Sequence, residues 1–127
     1  MGREAARVVT TAHEVRGWID AYLRAWSSNE PADIRALFTE DAVYNGRPHD
    51  PEAWRGREAI VAGWLEHRDE PGNWSFDYEV LSVDGDRAFV QGVTLYSDGP
   101  DYDNLWIVSL TGGRASEFTE WFMSRGD

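Results

Sequence analysis

The sequence predicts an α+β domain: helices first, then an antiparallel meander, with room for a hollow between them. Three observations carry this. Apolar residues recur at helical spacing in the first half of the chain, and from Trp74 onward the period changes to two. The alternating runs are joined by "DGD", "DGPDYD" and "TGG", which are turn chemistry. The chain is also rich in large rings, with seven Trp, five Tyr and five Phe among 127 residues, so it has the material for a packed core.

The elements follow in order. Thr11 and Glu14 form a T-x-x-E capping box. Val15, Trp18, Ile19, Tyr22, Leu23 and Trp26 then mark the inner stripe of a first helix, which "SSNEP" ends. Pro31 suits the first turn of a second, short helix with Ile34, Leu37 and Phe38 inward. "DAVYN" (41–45) reads as a short strand, and "GRPHDPEAWRG" as an irregular loop. "REAIVAGWLEHRD" is a third helix with Ile60, Val61, Trp64 and Leu65 on one side, stopped by "EPG". "WSFDYEVLSV", "RAFVQGVTLYS", "NLWIVSL" and "RASEFTEWFM" are four strands. No repeat, low-complexity segment or linker divides the chain, so residues 1–127 are expected to form one domain.

Composition excludes several classes. A net charge of −11 makes nucleic acid and anionic membranes poor partners. No apolar run approaches the roughly 20 residues needed to cross a membrane. "MGREAARVV" has no apolar signal core, and there is no cysteine, so a cytoplasmic protein is expected. Metal-ligand spacings, G-x-G-x-x-G and P-loop patterns are missing from the sequence, and no cofactor is expected.

Two strands raise questions. "NLWIVSL" is apolar on both sides, with Trp106, Val108 and Leu110 on one and Leu105 and Ile107 on the other. Helices can cover only one face of a sheet. Either a twofold partner subunit or the N-terminal arm must cover the second, and a homodimer through the sheet face is the expected solution. In "SEFTEWFM", alternation puts Ser116, Phe118, Glu120 and Phe122 on one face and Glu117, Thr119, Trp121 and Met123 on the other. One carboxylate must therefore look inward.

"VRGWIDAYLRAWSSNEPADIRALFTEDAVY", "GREAIVAGW", "VDGD" and "GRASEFTEWFM" together resemble the nuclear transport factor 2-like superfamily. More narrowly, they look like its SnoaL-like branch, which includes polyketide cyclases and ketosteroid isomerase. The likeness spans residues 13–123. It implies a cone-shaped curved sheet wrapped around three helices, an internal pocket and a dimer packed through the sheet. Residue by residue, the catalytic tyrosine of ketosteroid isomerases falls on Tyr22. Their general-base aspartate falls on Gly46, and their oxyanion-hole aspartate on Trp106. Two of three functional side chains are missing, so that mechanism does not carry over.

The same resemblance places Phe118, Glu120 and Phe122 on the pocket face and Asn104 in register with it. Glu120 between two Phe is then the candidate acid or base, since burial raises a carboxyl group toward neutrality. Tyr22 and Asn104 are the candidate donors to a developing oxyanion. Tyr44, Trp64, Trp106, Phe118 and Phe122 are candidate flat walls for a small apolar ligand. Plainer readings stay open. Glu120 could pair with Arg47, Arg55 or Tyr22; Tyr22 could be core; Asn104 could serve backbone groups; and the rings could fill the pocket themselves. His49 and Asp50 read as an exposed loop, and His13 and His67 as surface. Epoxide hydrolysis, another chemistry of this fold, needs several inward carboxylates, and the sequence places one.

Overall fold

The protein was analysed as a computed structural model that describes residues 10–125; readings of residues 1–9 lie outside it. Thr11 caps α1 (Ala12–Ser28) with both arms of the box formed: Glu14 N–H donates to Thr11 Oγ1 at 3.2 Å and Thr11 N–H to Glu14 Oε1 at 2.9 Å. Asn29 ends it in the left-handed region, φ 54°. Pro31 opens α2 (Pro31–Arg35), which is shorter than the sequence suggests. Leu37 and Phe38 are buried, but Phe38 already begins β1 (Phe38–Asn45), because Ala115 N–H donates to the Leu37 carbonyl at 2.7 Å. Pairing with the last strand thus pulls the chain out of the helix early. The expected loop also contains a two-residue strand, β2 (Trp54–Arg55), paired to Val43 and Tyr44.

The third helix, α3 (Arg57–Glu66), stops three residues before the sequence pattern does. Its buried residues include Ile60, Val61, Gly63 and Trp64. Gly63 is glycine for a packing reason: a Cβ there would overlap the indole of Trp54. Four long strands follow, β3 (Trp74–Asp84), β4 (Arg87–Tyr96), β5 (Tyr102–Thr111) and β6 (Arg114–Ser124). The sheet order is β2-β1-β6-β5-β4-β3, curved and unclosed. It is mixed, since β1 runs parallel to β6, whereas every other pairing is antiparallel as the meander predicts.

Register decides which side chains reach the interior. Trp106 pairs with Glu120, Val108 with Phe118 and Asn104 with Phe122. The register shifts between Ser109 and Leu110, so Leu110 meets Ala115. That bulge overturns one assignment: Ala115, fully buried, takes the inner place expected of Ser116. The core is built from α1, α3 and the inner sheet face, with Trp18, Tyr22, Trp106 and Phe118 in mutual contact and Phe38 edge-on to Trp18.

Candidate functional site

Above that aromatic layer lies a cavity of about 540 Å³, within the roughly 300–1,000 Å³ usual for small-ligand sites. Three elements aim hydroxyl and carboxyl groups into it. Tyr22 comes from the inner stripe of α1, Tyr44 from β1 and Glu120 from β6. The Tyr22 and Tyr44 hydroxyls are 3.0 Å apart, and Tyr44 OH donates to Glu120 Oε1 at 2.8 Å. A phenol has one proton. With that of Tyr44 given to Glu120, Tyr22 is the donor in the first bond, and the line runs Tyr22 to Tyr44 to Glu120.

Electrostatics follow from burial. Glu120 is enclosed by protein, and its residual accessibility is to the cavity. Burial pushes its pKa up to about 7; the Tyr44 hydrogen bond opposes this and the nearby charge of Asp69 adds to it. Both phenols are held well above their ordinary range, first by burial and then by the Glu120 charge, so they act as neutral donors.

The remaining candidates divide. Asn104 lines the cavity and is 4% exposed; Thr94 Oγ1 donates to its Oδ1 at 2.8 Å, leaving its NH2 group without an acceptor among the described residues. Trp64 forms wall, with its Nε1 donating to Asn29 Oδ1 at 3.1 Å. Phe122 stands at the rim, 50% exposed, edge-on to Tyr102. Trp106 and Phe118 do not reach the cavity. Both are fully buried beneath it, where their rings support Tyr22.

The pairing partners of Glu120 weighed in the sequence were Arg47, Arg55 and Tyr22; its hydrogen-bond partner is Tyr44. Arg47 instead donates to the Pro48 and His49 carbonyls. His49 and Asp50 form no pair, because Asp50 accepts from the Gly46 and Glu52 amides at 2.7 and 2.8 Å. Glu117 faces the other side, where Asn45 Nδ2 donates to it at 3.2 Å.

Sequence reasoning missed Asp69, Tyr96 and Trp54. Asp69 accepts from Trp26 Nε1 and Tyr96 OH, both at 2.9 Å, and with Asp50 and Glu52 it lines the cavity besides Glu120, where one acid was expected. Nothing local marks it, since an acid just past a helix reads as surface. Tyr96 was legible, because period-two alternation places it with Thr94 and Val90. Trp54 packs against Tyr44 from the edge strand with the rings tilted by 39°, and no periodicity announces it. No arginine bonds to Glu120 or Asp69 among the described residues. No helix among the described residues is long and apolar enough to cross a membrane.

Comparison with known proteins agrees with this architecture. The family described as SnoaL-like domain matches residues 19–124. No curated protein matches the chain. Among solved structures, an NTF-2 like protein of unknown function from Burkholderia xenovorans is similar at TM-score 0.71 and 17% identity, over 91% of this chain and 87% of that one. A putative ketosteroid isomerase from Kribbella flavida is similar at TM-score 0.68 and 20% identity, over 91% and 82%. An LEH-like epoxide hydrolase from M. tuberculosis is similar at TM-score 0.61 and 15% identity, over 87% and 84%. At these identities the likeness concerns the fold.

Proposed function

We propose that this chain, which belongs to the SnoaL-like domain family, is a small-molecule pocket protein that moves a proton at carbon next to a carbonyl, without a cofactor. The observation that supports this reading most is Glu120: a carboxyl with pKa about 7, hydrogen-bonded on one oxygen and facing a cavity. A base of that strength is half ionised near neutral pH, where general acid–base catalysis is most effective.

The chemistry needs a second group, and Asn104 supplies it. Asn104 pairs with Phe122 across the β5–β6 ladder, and Glu120 is two residues along on the same face. Such diagonal neighbours lie roughly 7 Å apart at Cβ, enough to span a C–H and the adjacent C=O. Glu120 takes the proton, the C–H electrons form the C=C bond, and the carbonyl oxygen becomes an enolate that accepts from the Asn104 NH2. Return of the proton to another carbon is isomerisation. Tyr22 acts through Tyr44, so it is a positioning residue.

Deuterium wash-in tests this. In D2O with a bicyclic ketone such as 2-tetralone, the protein is expected to speed exchange at the activated carbon. The rate should rise with pH through a midpoint near 7, and Glu120→Gln should abolish it. Acceleration that survives in that variant would remove Glu120 from the chemistry. The alternative is a non-catalytic binder of small hydrophobic ligands, for which ligand raises Tm without any exchange.

We also propose a homodimer through the outer sheet face. Leu105 pairs with Trp121 there, and Ile107 with Phe89; Leu95, Trp121 and Met123 are exposed at 40%, 37% and 44%. Sedimentation is expected to give twice the chain mass for the wild type and the chain mass for Leu105→Lys, with the fold retained by circular dichroism. A wild-type monomer would rule the dimer out.

A further inference from the structure

The proposed chemistry uses Glu120 and leaves Asp69 without a task. Asp69 follows α3 and lines the same cavity. Trp26 from α1 and Tyr96 from β4 both donate to Oδ2, and Asn29 Nδ2 donates to its main-chain carbonyl at 3.1 Å. This carboxylate is therefore fixed from several sides, while Oδ1 takes no donor among the described residues.

No cationic side chain answers these acids. The chain has no lysine at all. The ion pairs among the described residues, Arg35–Glu58 and Arg125–Asp103, involve no cavity residue. Arg68 and His67 reach the cavity but are exposed; Arg68 donates to the Leu65 carbonyl at 2.9 Å, and His67 stacks on Trp54. Around the acids stand the rings of Trp26, Trp54, Trp64, Tyr96 and Tyr102. Carboxylates shielded from water are costly unless a partner of opposite charge arrives. Aromatic faces also attract cations, and a charged N–H makes a stronger hydrogen bond to a carboxylate than a neutral donor does.

We infer that the cavity takes an arylalkylamine: a flat ring system with a protonated, N–H-bearing nitrogen on an alkyl arm that pairs with Asp69 Oδ1. This deepens the pocket reading above and rests on it. A substrate with both groups would place its amine on Asp69 and its acidic C–H on Glu120. An apolar ligand alone would leave the Asp69 charge unanswered.

Calorimetry of the full chain at pH 6, where Glu120 is mostly protonated, with two ligands of the same shape tests the inference. Tryptamine is a cation, and tryptophol replaces its ammonium by a neutral hydroxyl. Tryptamine is expected to bind about tenfold tighter, the gain of one charge-assisted contact over a neutral one, and the preference should shrink with added salt. Asp69→Asn keeps an acceptor for Trp26 and Tyr96 and should bring the two ligands within about twofold. Equal binding of the two ligands to the wild type overturns the charge inference and leaves the pocket reading standing. Binding of neither overturns the pocket reading and the inference with it. A preference that persists in Asp69→Asn overturns the assignment to Asp69. The wild-type comparison decides the matter even if that variant fails to fold.

Discussion

Glu120→Gln is expected to be more stable than the wild type at pH 8 and equal to it near pH 4. The sign follows from where the proton sits. The unfolded carboxyl titrates near 4.5 and the folded one near 7. Between these values the native state binds more protons than the unfolded state, so native stability falls as pH rises. Below 4.5 both states are protonated and no penalty exists. Above 7 the folded state carries the charge in full. The cost there is about 2–3 kcal/mol, allowing for screening by cavity water. Glutamine removes it and still accepts the Tyr44 hydrogen bond. For a chain of this length that corresponds to a Tm higher by roughly 8 °C at pH 8. Thermal melts of both proteins at intervals from pH 4 to pH 8.5 check this. A stability difference that stays the same at every pH would show that the Glu120 pKa does not change on folding. The same substitution removes the proposed base, so a more stable protein that exchanges no deuterium is the combined signature.

The fold was legible because its signals are local. The capping box, the Pro31 start and the turn at Gly112–Gly113 act within a few residues, and each element formed near its expected place. What went unread depends on distant partners. β1 begins at Phe38 because β6 lies beside it, and β2 exists because β1 offers an edge to Trp54 and Arg55. The bulge at Ser109–Leu110 is a property of paired strands, and it exchanged Ala115 for Ser116 on the inner face.

The site divides the same way. Alternation along β6 restricted the inward acid to Glu120 or Glu117, and resemblance chose between them. The identity of its partner, Tyr44, needed the parallel β1–β6 pairing that brings Tyr44 opposite Phe118. Asp69 was illegible because Trp26 and Tyr96, from elements before and after it in the chain, draw it inward. The depth of each ring was equally hidden. Trp64, Trp106 and Phe118 look alike in sequence, yet Trp64 is wall and the other two are foundation.

That foundation sets the second large effect. Trp106→Ala is expected to cost about 4 kcal/mol, a large part of the roughly 5–15 kcal/mol that holds a domain of this kind folded. Trp106 is fully buried against Trp18, Tyr22, Phe76 and Phe118, with the Phe76 ring stacked at 4.6 Å and Tyr22 at 4.7 Å. Trp106→Phe should behave quite differently. The indole Nε1 of Trp106 is buried with no hydrogen-bond partner among the described residues. Such an orphaned donor costs about 1–3 kcal/mol in the wild type, and phenylalanine removes it while keeping most of the ring contacts. The two terms oppose each other, so Trp106→Phe should fall within about 1 kcal/mol of the wild type. Urea titrations of the three proteins give the comparison. A Trp106→Phe loss well above 1 kcal/mol would mean that the N–H is satisfied in solution, so that its removal brings no compensating gain. The same substitutions reach the site through Tyr22. An alanine beneath that ring frees it to leave Tyr44, and the hydrogen bond that restrains the proton affinity of Glu120 weakens with it. Residual activity in Trp106→Ala should therefore show its pH midpoint shifted upward, whereas Trp106→Phe keeps the midpoint near 7.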